Sequence, residues 1–441
     1  RPRGSGVGKS QIRPAARRGP YPGRGESGGR ELGVHALSTG MPGLGVILPF
    51  GIIGIISWSF WLVRKILSAT SRPVENDYRT TCTIVVPSYH EDPEVLVRCI
   101  GTWIAEHPQR VIIVLDVADT EAKERIDALG HPNVEAHLFK HRGKRSALGY
   151  GMRLVDTELC ILIDSDTVWE PGMYANIQMP FIDPAVGAVS TRQNVYLPKT
   201  SLWRRVADWI IDLRYYDYAP AMGRFGGVIC ASGRTSAYRY SVIEDRIDDL
   251  EREIFWGREC IAGDDGRLTW LVLSQGYRVA HQDSARALSM FPDTFRAFTK
   301  QRVRWSRNSY RCYLTAIRHG WIFKTPLISQ ITIMQILLTP ITALSALIYV
   351  GLSAQAGWLA FAASVAWLVI GRGIRGISHL WRRPEDIWIL PVVAFAVMFI
   401  ALPIKTYAFF TMNKQGWLTR SADSIGGEGQ SEASLTRAPA A

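Results

Sequence analysis

"LGVILPFGIIGIISWSFWLV", Leu44 to Val63, runs for 20 residues without a charge. In water such a stretch must be wrapped by protein on every side. In lipid it needs only to satisfy its own backbone, which a helix does. A helix of that length rises about 30 Å, the thickness of a bilayer's hydrocarbon core. The run is longer than most secretory cores and lacks a small-residue cleavage site, so it reads as a transmembrane helix over 44–63. Arg64, Lys65, Arg72 and Arg79 follow it, whereas only Arg24 and Arg30 lie near its other end. The positive-inside rule therefore places the chain after Val63 in the cytoplasm.

Further apolar runs begin at Leu327: "LISQITIMQILLTPITALSALIYV", then "QAGWLAFAASVAWLVIG", then "IWILPVVAFAVMFIALPIKTYAFF". A loop with Arg372, Arg375, Arg382 and Arg383 parts the second from the third. Pro391 and Pro403 interrupt the last run, so residues 327–411 are expected to hold two or three membrane helices. Hydrophobic content of 47% with a net charge of +12 is unusual for a purely soluble enzyme. The basic balance calls for an anionic partner: nucleic acid, acidic lipid headgroups or a phosphorylated substrate. Six scattered cysteines form no CxxC pair and no zinc spacing, and read as reduced thiols. Residues 1–43 are rich in Arg, Gly, Pro and Ser, a composition expected to stay disordered. Their "GSGVGKS" imitates a P-loop, but the pattern needs a glycine where Arg3 stands and a strand that is missing.

Between the membrane blocks, residues 75–292 are long enough for a core of their own. Short β-rich runs ("TCTIVVP", "RVIIVLD", "VEAHLF", "LCILID", "GGVICAS") alternate with helical ones ("PEVLVRCIGTWIAEH", "EAKERIDALG", "KRSALGYGMRLV"). That order predicts an α/β domain, a mixed and mostly parallel sheet with helices on both faces. Ligands of such sheets bind at the carboxyl ends of the strands.

Several candidates fall at those ends. In "ILIDSDTVW" Asp164 and Asp166 stand two apart after a strand, so their side chains share a face. They are turn carboxylates or, since like charges repel unless compensated, ligands of a cation. Asp116 ends another strand, as an Asx-turn or as an acceptor for a ribose or base. Pro87, Tyr89 and Glu91 close the first strand, where Tyr89 could cover a base, while Asp92–Pro93 suits the start of a helix. Arg142, Lys144 and Arg145 precede a helix, as a solvated turn or as phosphate contacts. Asp264 and Asp265 also precede one. Capping accounts for one aspartate and leaves the other available as a base. Residues 293–323 hold seven Lys or Arg, one acid and apolar residues at helical spacing, as interfacial amphipathic helices do.

The order of these signals resembles that of the family-two processive glycosyltransferases, the hyaluronan, chitin-oligosaccharide and cellulose synthase group, and most nearly its hyaluronan and chitin-oligosaccharide branch. "VPSYHEDPEVL", "VLD", "GKR", "DSDT", "CASGRTSAYR", "GDDGRLT", "QRVRW" and "GWLTR" carry the resemblance, over about residues 80 to 420. It implies a cytoplasmic GT-A catalytic domain in the plasma membrane's service, using a UDP-sugar with Mg²⁺ or Mn²⁺ and extending a polysaccharide. By motif, Asp116 holds the uridine with Pro87, Tyr89 and Glu91, and Lys144 and Arg145 lie near the donor. Asp164 and Asp166 engage the nucleotide and the metal. Asp265, with Asp264 beside it, is the general base. Gln301, Arg304 and Trp305 cover the diphosphate and the acceptor sugar, with Ser232 and Gly233 on the acceptor side. Trp417 and Arg420 belong to a gating segment within 412–441. The branch usually has an arginine after its two aspartates, where this chain has Gly266, and GWGTR where it has GWLTR.

The chemistry agrees with that reading. A divalent ion and Arg304 suit the negative charge that develops on a departing UDP. An ionised aspartate suits the proton of an attacking hydroxyl, with inversion at the sugar carbon. Trp305 offers an apolar plane to a sugar ring or, alternatively, an interface anchor to lipid. Two rivals stand beside it. One is a membrane transferase that adds a single sugar to a lipid or short acceptor. The other is a transporter with a nucleotide-binding regulatory domain, which calls for charges within the spans. Nucleic-acid binding has no recognised module here.

Overall fold

A computed structural model describes residues 51–416. The basic tail 1–43, the start of the first apolar run, and Trp417, Arg420 and the rest of the C-terminal segment lie outside the described residues.

The sheet domain is built on eight strands: β1 (Cys82–Pro87), β2 (Arg110–Leu115), β3 (Val134–Leu138), β4 (Leu159–Leu162), β5 (Thr167–Trp169), β6 (Val186–Val195), β7 (Ser236–Arg239) and one further strand, Arg278–Ser289. A separate two-stranded ribbon, β8 (Ile254–Phe255) and β9 (Arg258–Glu259), makes that last strand β10. The order is β3-β2-β1-β4-β7-β6-β10-β5. β1 pairs in parallel with β2 and β4, β2 with β3, and β6 with β10, while β7 and β5 run antiparallel to their neighbours. The sheet is thus mixed and mostly parallel. Every residue of β1 is buried, which is why that strand reads as an unbroken apolar run rather than an alternating one. The chain winds from β1 out to β3 and returns to β4 on the other side of β1. The carboxyl ends of β1 and β4 therefore flank a topological switch point, where open α/β sheets bind their ligands.

Helices cover the sheet as the apolar spacing predicts. α1 (Gly51–Ala69) comes before it; α2 (Pro93–Ile104), α3 (Thr120–Asp127), α4 (Lys144–Met152), α5 (Leu202–Asp212) and α6 (Asp264–Ser274) belong to it. Asp92 caps α2, accepting from the Glu94 N–H at 2.9 Å. "GGVICAS" is not a strand, and only Gly227 bridges to Val279. Gly226 turns with φ +68°, and the Ala231 N–H donates to Thr269 Oγ1 at 2.9 Å instead of to a neighbouring strand. The segment leaves the sheet and carries Cys230–Gly233 across its end.

α1 runs past Val63 to Ala69, so Arg64 and Lys65 do not flank the helix but lie within it. Arg64 is 3% exposed, while Ile55, Ile56, Leu62, Val63 and Ile66 are each about half exposed. Apolar residues outside and a cation inside suit a helix whose surroundings are lipid. Arg64 bonds Gln335 and stacks 3.9 Å from the Tyr218 ring centre. Lys65 Nζ donates to Asp217 Oδ1 at 2.8 Å.

α7 (Phe295–Arg318) is one continuous helix of 24 residues, capped by Thr294. α8 (Leu327–Ser353) and α9 (Trp358–Arg375) follow. Leu327–Ala356, Trp358–Arg375 and Pro384–Phe410 are long and apolar enough to cross a membrane. The third differs from the others in its attachments. Near its start, Asp386 accepts from the buried His379 at 2.9 Å, and Glu385 pairs with Lys199 beside α5 at 2.8 Å. Just past its end, the Gln415 side chain accepts from the Ile261 N–H and donates to the Glu259 carbonyl, each at 3.0 Å. Both ends are thus fastened to the sheet domain. Between them the run lies along α7, where Arg307 lies over the Tyr407 ring and Phe409 meets Tyr310 edge-on.

Candidate active site

At the carboxyl end of β4 the chain turns out of the sheet at Asp164 and reaches Asp166 before β5. Both carboxylates face one cavity of about 220 Å³, together with Lys144, Ser232, Gly233, Asp264, Asp265, Gln301, Arg304 and Trp305. Five separate stretches of sequence meet there: the β4 end, the first turn of α4, the 230–233 crossing, the first turn of α6 and the facing turns of α7.

Lys144 ties the acids together. Its Nζ is 2.6 Å from Asp164 Oδ1 and 3.0 Å from Asp264 Oδ2. Burial alone would raise the Asp164 carboxyl, but Lys144, then Arg234 and Arg304, hold it below the usual carboxylate range. Asp264 goes the other way: burial first, with Asp265 and Asp164 adding, pushes it up against the pull of Lys144. Gly233 makes this bridge possible. A Cβ there would lie 3.1 Å from Lys144 Nζ, 3.3 Å from Asp264 Oδ2 and 3.4 Å from Asp164 Oδ1.

Neither aspartate of the pair caps α6, as the capping expectation required. The cap position is Gly263, at φ +80° and without a side-chain bond, and the two acids form the first turn. Their backbones therefore point the carboxylates differently. Asp264 turns to Lys144, while Asp265 Oδ1 accepts from the Gly266 N–H at 2.8 Å and Oδ2 lies 3.6 Å from the Cys230 thiol. Among the described residues Asp265 forms no ion pair like that of Asp264 with Lys144, although Lys144 and Arg214 both feel its charge.

Arg145 was expected near the donor and is instead a fastener. It is buried, donates to the Leu250 and Gly263 carbonyls at 3.1 Å, and pairs with Glu253 at 2.6 Å. One residue after Lys144 on a helix, it must point about 100° away from the cavity. Pro87, Tyr89, Glu91 and Asp116 gather at the adjacent β1 and β2 ends, outside the cavity lining. Asp116 does form the Asx-turn, accepting from the Ala118 N–H at 3.0 Å, and its other oxygen lies 3.4 Å from His141 Nε2. The His141 ring meets the Tyr89 ring edge-on at 5.4 Å. Burial lowers His141 below its ordinary value, against the pull of Asp116. Ser165 Oγ donates to Glu91 Oε2 at 3.3 Å and links the two groups.

Sequence reasoning did not single out three residues of the site: Arg214 and Arg234 in the cavity lining and His141 beside Asp116. Arg214 reaches the cavity from a π-helical stretch, Leu213–Tyr218, a local widening that often marks functional sites. Its Nη2 donates to the Cys230 carbonyl at 2.9 Å. Arg234 and His141 carried no local signal, being single residues in a turn and a loop.

The donor set at Asp164 and Asp166 is all oxygen, on a rigid strand end, and fits a hard divalent cation such as Mg²⁺ or Mn²⁺. The tightest His/Asp group among the described residues lies elsewhere, at Asp208, Asp212 and His379. Arg382 and Arg383 already pair with those carboxylates.

A mostly parallel sheet with acidic strand ends at its switch point, facing a second acidic pair and a basic helix, defines a sugar-nucleotide-dependent transferase of GT-A fold. Residues 80–308, more than half of the chain, match the family described as glycosyltransferase like family 2, and the chain belongs to that family. It is 27% identical over 386 residues to an N-acetylglucosaminyltransferase of Rhizobium leguminosarum bv. viciae, covering 82% of this chain and 87% of that one. It is 25% identical over 390 residues to a hyaluronan synthase of Streptococcus pyogenes, covering 85% and 92%. In fold it is similar to a mannosyltransferase from Pyrobaculum calidifontis in complex with GDP-Man and Mn²⁺, with a TM-score of 0.55 and 20% identity over 79% of this chain and 95% of that one.

Proposed function

We propose that the protein is a membrane-embedded, inverting, processive glycosyltransferase that takes sugar from a UDP-sugar, adds it to a growing polysaccharide and passes the product through its own helices. The observation that carries this reading is the single cavity in which Asp164, Asp166, Asp265, Arg304 and Trp305 meet, on a helix that continues directly toward the membrane segments. The uridine lies with Tyr89, Asp116 and His141 at the β1 and β2 ends. Asp164 and Asp166 would hold the divalent ion, which when bound supplies positive charge to the donor's diphosphate. Arg304 adds a fixed cation at the same place and stabilises the leaving group as its charge grows. Asp265, which unlike Asp264 is not bonded to Lys144, takes the proton of the acceptor hydroxyl during attack on the sugar carbon. Gln301, Trp305, Ser232 and Gly233 hold the acceptor sugar, the indole presenting an apolar plane to its ring.

In this reading 75–292 is the cytoplasmic catalytic domain, 293–323 the interfacial element, and 412–441 the gating segment that carries Trp417 and Arg420. The docking of Gln415 beside the Cys260–Gly263 loop supports a gate that starts at the mouth of the site. Membranes holding the protein, given labelled UDP-sugars and Mn²⁺, are expected to yield a ladder of long chains. A single shifted species indicates one-sugar transfer, and no incorporation from any UDP-sugar refutes the proposal.

A further inference from the structure

The crossing that carries Ser232 and Gly233 over the end of the sheet is held by a buried polar network to which the reaction proposed above gives no part. β6 and β7 pair from Ala188↔Tyr238 to Ser190↔Ser236. Before Ser236 the chain parts from β6, and side chains take the place of ladder bonds. The Thr235 carbonyl accepts from Thr191 Oγ1 at 2.8 Å and from Gln193 Nε2 at 2.9 Å. Thr235 Oγ1 accepts from the Trp169 indole N–H at 3.0 Å. Gln193 Oε1 in turn accepts from the Tyr215 hydroxyl at 2.7 Å. Thr191, Gln193, Tyr215 and Thr235 are all fully buried.

An amide sealed from water has to find partners for both of its ends. Tyr215 gives the oxygen a donor and thereby turns the Nε2 end toward Thr235. Without that hydroxyl the amide can turn over, and its oxygen would then meet the Thr235 carbonyl, acceptor against acceptor. Tyr215 is also the neighbour of Arg214, whose Nη2 donates to the Cys230 carbonyl. Both belong to the π-helical stretch Leu213–Tyr218. One short stretch thus grips the crossing at Cys230 directly and at Thr235 through Gln193. Ser232 and Gly233 stand between the two grips, and Gly233 lies close against Lys144, Asp264 and Asp164, so a drift of the crossing would change the cavity wall.

We propose that Gln193, aligned by Tyr215, is a positioning residue for transfer: it fixes the Ser232–Gly233 wall so that the acceptor hydroxyl, and not water, meets the sugar carbon. The proposal rests on the reading of that wall as the acceptor side and adds to it the residues that hold it in place.

The test compares the wild type with Tyr215→Phe, Gln193→Met and Thr191→Val, each as the full chain in lipid nanodiscs, given the UDP-sugar that wild-type membranes incorporate. Two products are counted in one sample: sugar transferred to the glycan, and free sugar, formed when water replaces the acceptor hydroxyl and UDP leaves as before. The ratio of transfer to hydrolysis is expected to fall about 10- to 100-fold in Tyr215→Phe and Gln193→Met, as misplacing one reactant does. It should fall far less in Thr191→Val, which leaves the glutamine in place. Calorimetric affinity for UDP with Mn²⁺ should change little, because in this reading the nucleotide lies at the β1, β2 and β4 ends. Tyr215→Phe placed on Gln193→Met should add nothing further, since both act through one bond. Loss of folded protein lowers both products together, so an unchanged ratio overturns the proposal, as does a fall in UDP affinity that matches the fall in transfer. Hydrogen exchange over residues 230–236 needs no donor: it should quicken in Tyr215→Phe, and unchanged exchange refutes the grip itself. A wild type that incorporates sugar from no UDP-sugar refutes the transferase reading, and the exchange measurement then still decides whether Gln193 holds the crossing.

Discussion

Asp264 and Asp265 are neighbours with different surroundings, and the difference divides their work. Asp264 is buried and 3.0 Å from Lys144, so its charge is spent on holding α4 to α6. Asp265 has the cavity before it. Asp265→Asn is expected to lower turnover on the order of 100- to 10,000-fold, the usual contribution of a general base, while calorimetry with UDP and Mn²⁺ shows little change in affinity. Lys144→Gln should act on stability as well, because it leaves Asp164 and Asp264 facing each other without a cation. A loss of about 3–5 kcal/mol in denaturant unfolding is expected for breaking a buried pair of this kind. His141 gives a pH signature. Its folded pKa is lowered from 6.5 by burial, so the unfolded chain binds the proton more readily. Its contribution to stability is therefore complete above about 6.5 and is lost as pH falls through the lower folded value. The difference in melting temperature between wild type and His141→Gln should shrink as pH is lowered from 7 to 5; a constant difference would show that His141 does not titrate in this way.

The contact between α6 and α7 accounts for the glycine that follows the two aspartates. A Cβ on Gly266 would lie 2.9 Å from Cys312 Sγ, so the thiol or the helix spacing would have to shift. Gly266→Ala is expected to cost about 1–3 kcal/mol by overpacking, and Cys312→Ala should restore most of it, a coupling that a double-mutant cycle in thermal unfolding measures. Arg267, one place further on, is structural: it lies 3.2 Å from Glu253 and over the Trp321 ring. At this scale the sequence was legible where local chemistry decides. β1 and β2 are β-branched runs, β4 is a short apolar one, and the Asp92–Pro93 start of α2 is a local motif. β6 and β10 were not legible, because their buried polar residues hide the apolar pattern. Thr191, Gln193 and Gln282 are fully buried, yet Thr191 and Gln193 both donate to the Thr235 carbonyl. Such pairings join residues about 40 apart and have no signature in a window. The same limit applies to the site. The motif residues could be named in advance, but that Lys144 bridges two acids while Arg145 turns away follows only from the helix they share.

Across the whole molecule, the third apolar run decides how the membrane region is organised. Its length and composition alone make it a span, yet its two ends meet the same domain. At the start His379, fully buried, has Nδ1 2.7 Å from Asp212 and Nε2 2.9 Å from Asp386. Both ring nitrogens lie within hydrogen-bond distance of carboxylates, so the ring links α5 to the run. His379→Phe would leave two buried carboxylates short of a partner and is expected to cost about 3–5 kcal/mol, read as a lower unfolding midpoint in detergent. At the other end Gln415 is bonded to the backbone at Glu259 and Ile261. A helix that crossed a bilayer of about 30 Å could not return to one surface without a second crossing. We infer that the run lies along α7 at the interface, which would leave α8 and α9 as the crossings after the sheet domain. Two crossings bring the chain back to the side it left, so the segment after Phe410 should share the compartment of the catalytic domain. A protease-sensitive tag placed after Ala441 and another in the exposed turn at Gly130 are then expected to be cut together in inverted vesicles and protected together in sealed cells. Opposite protection of the two tags would restore the third crossing, and with it the difficulty of placing a gate on the far side of the membrane from the site it closes.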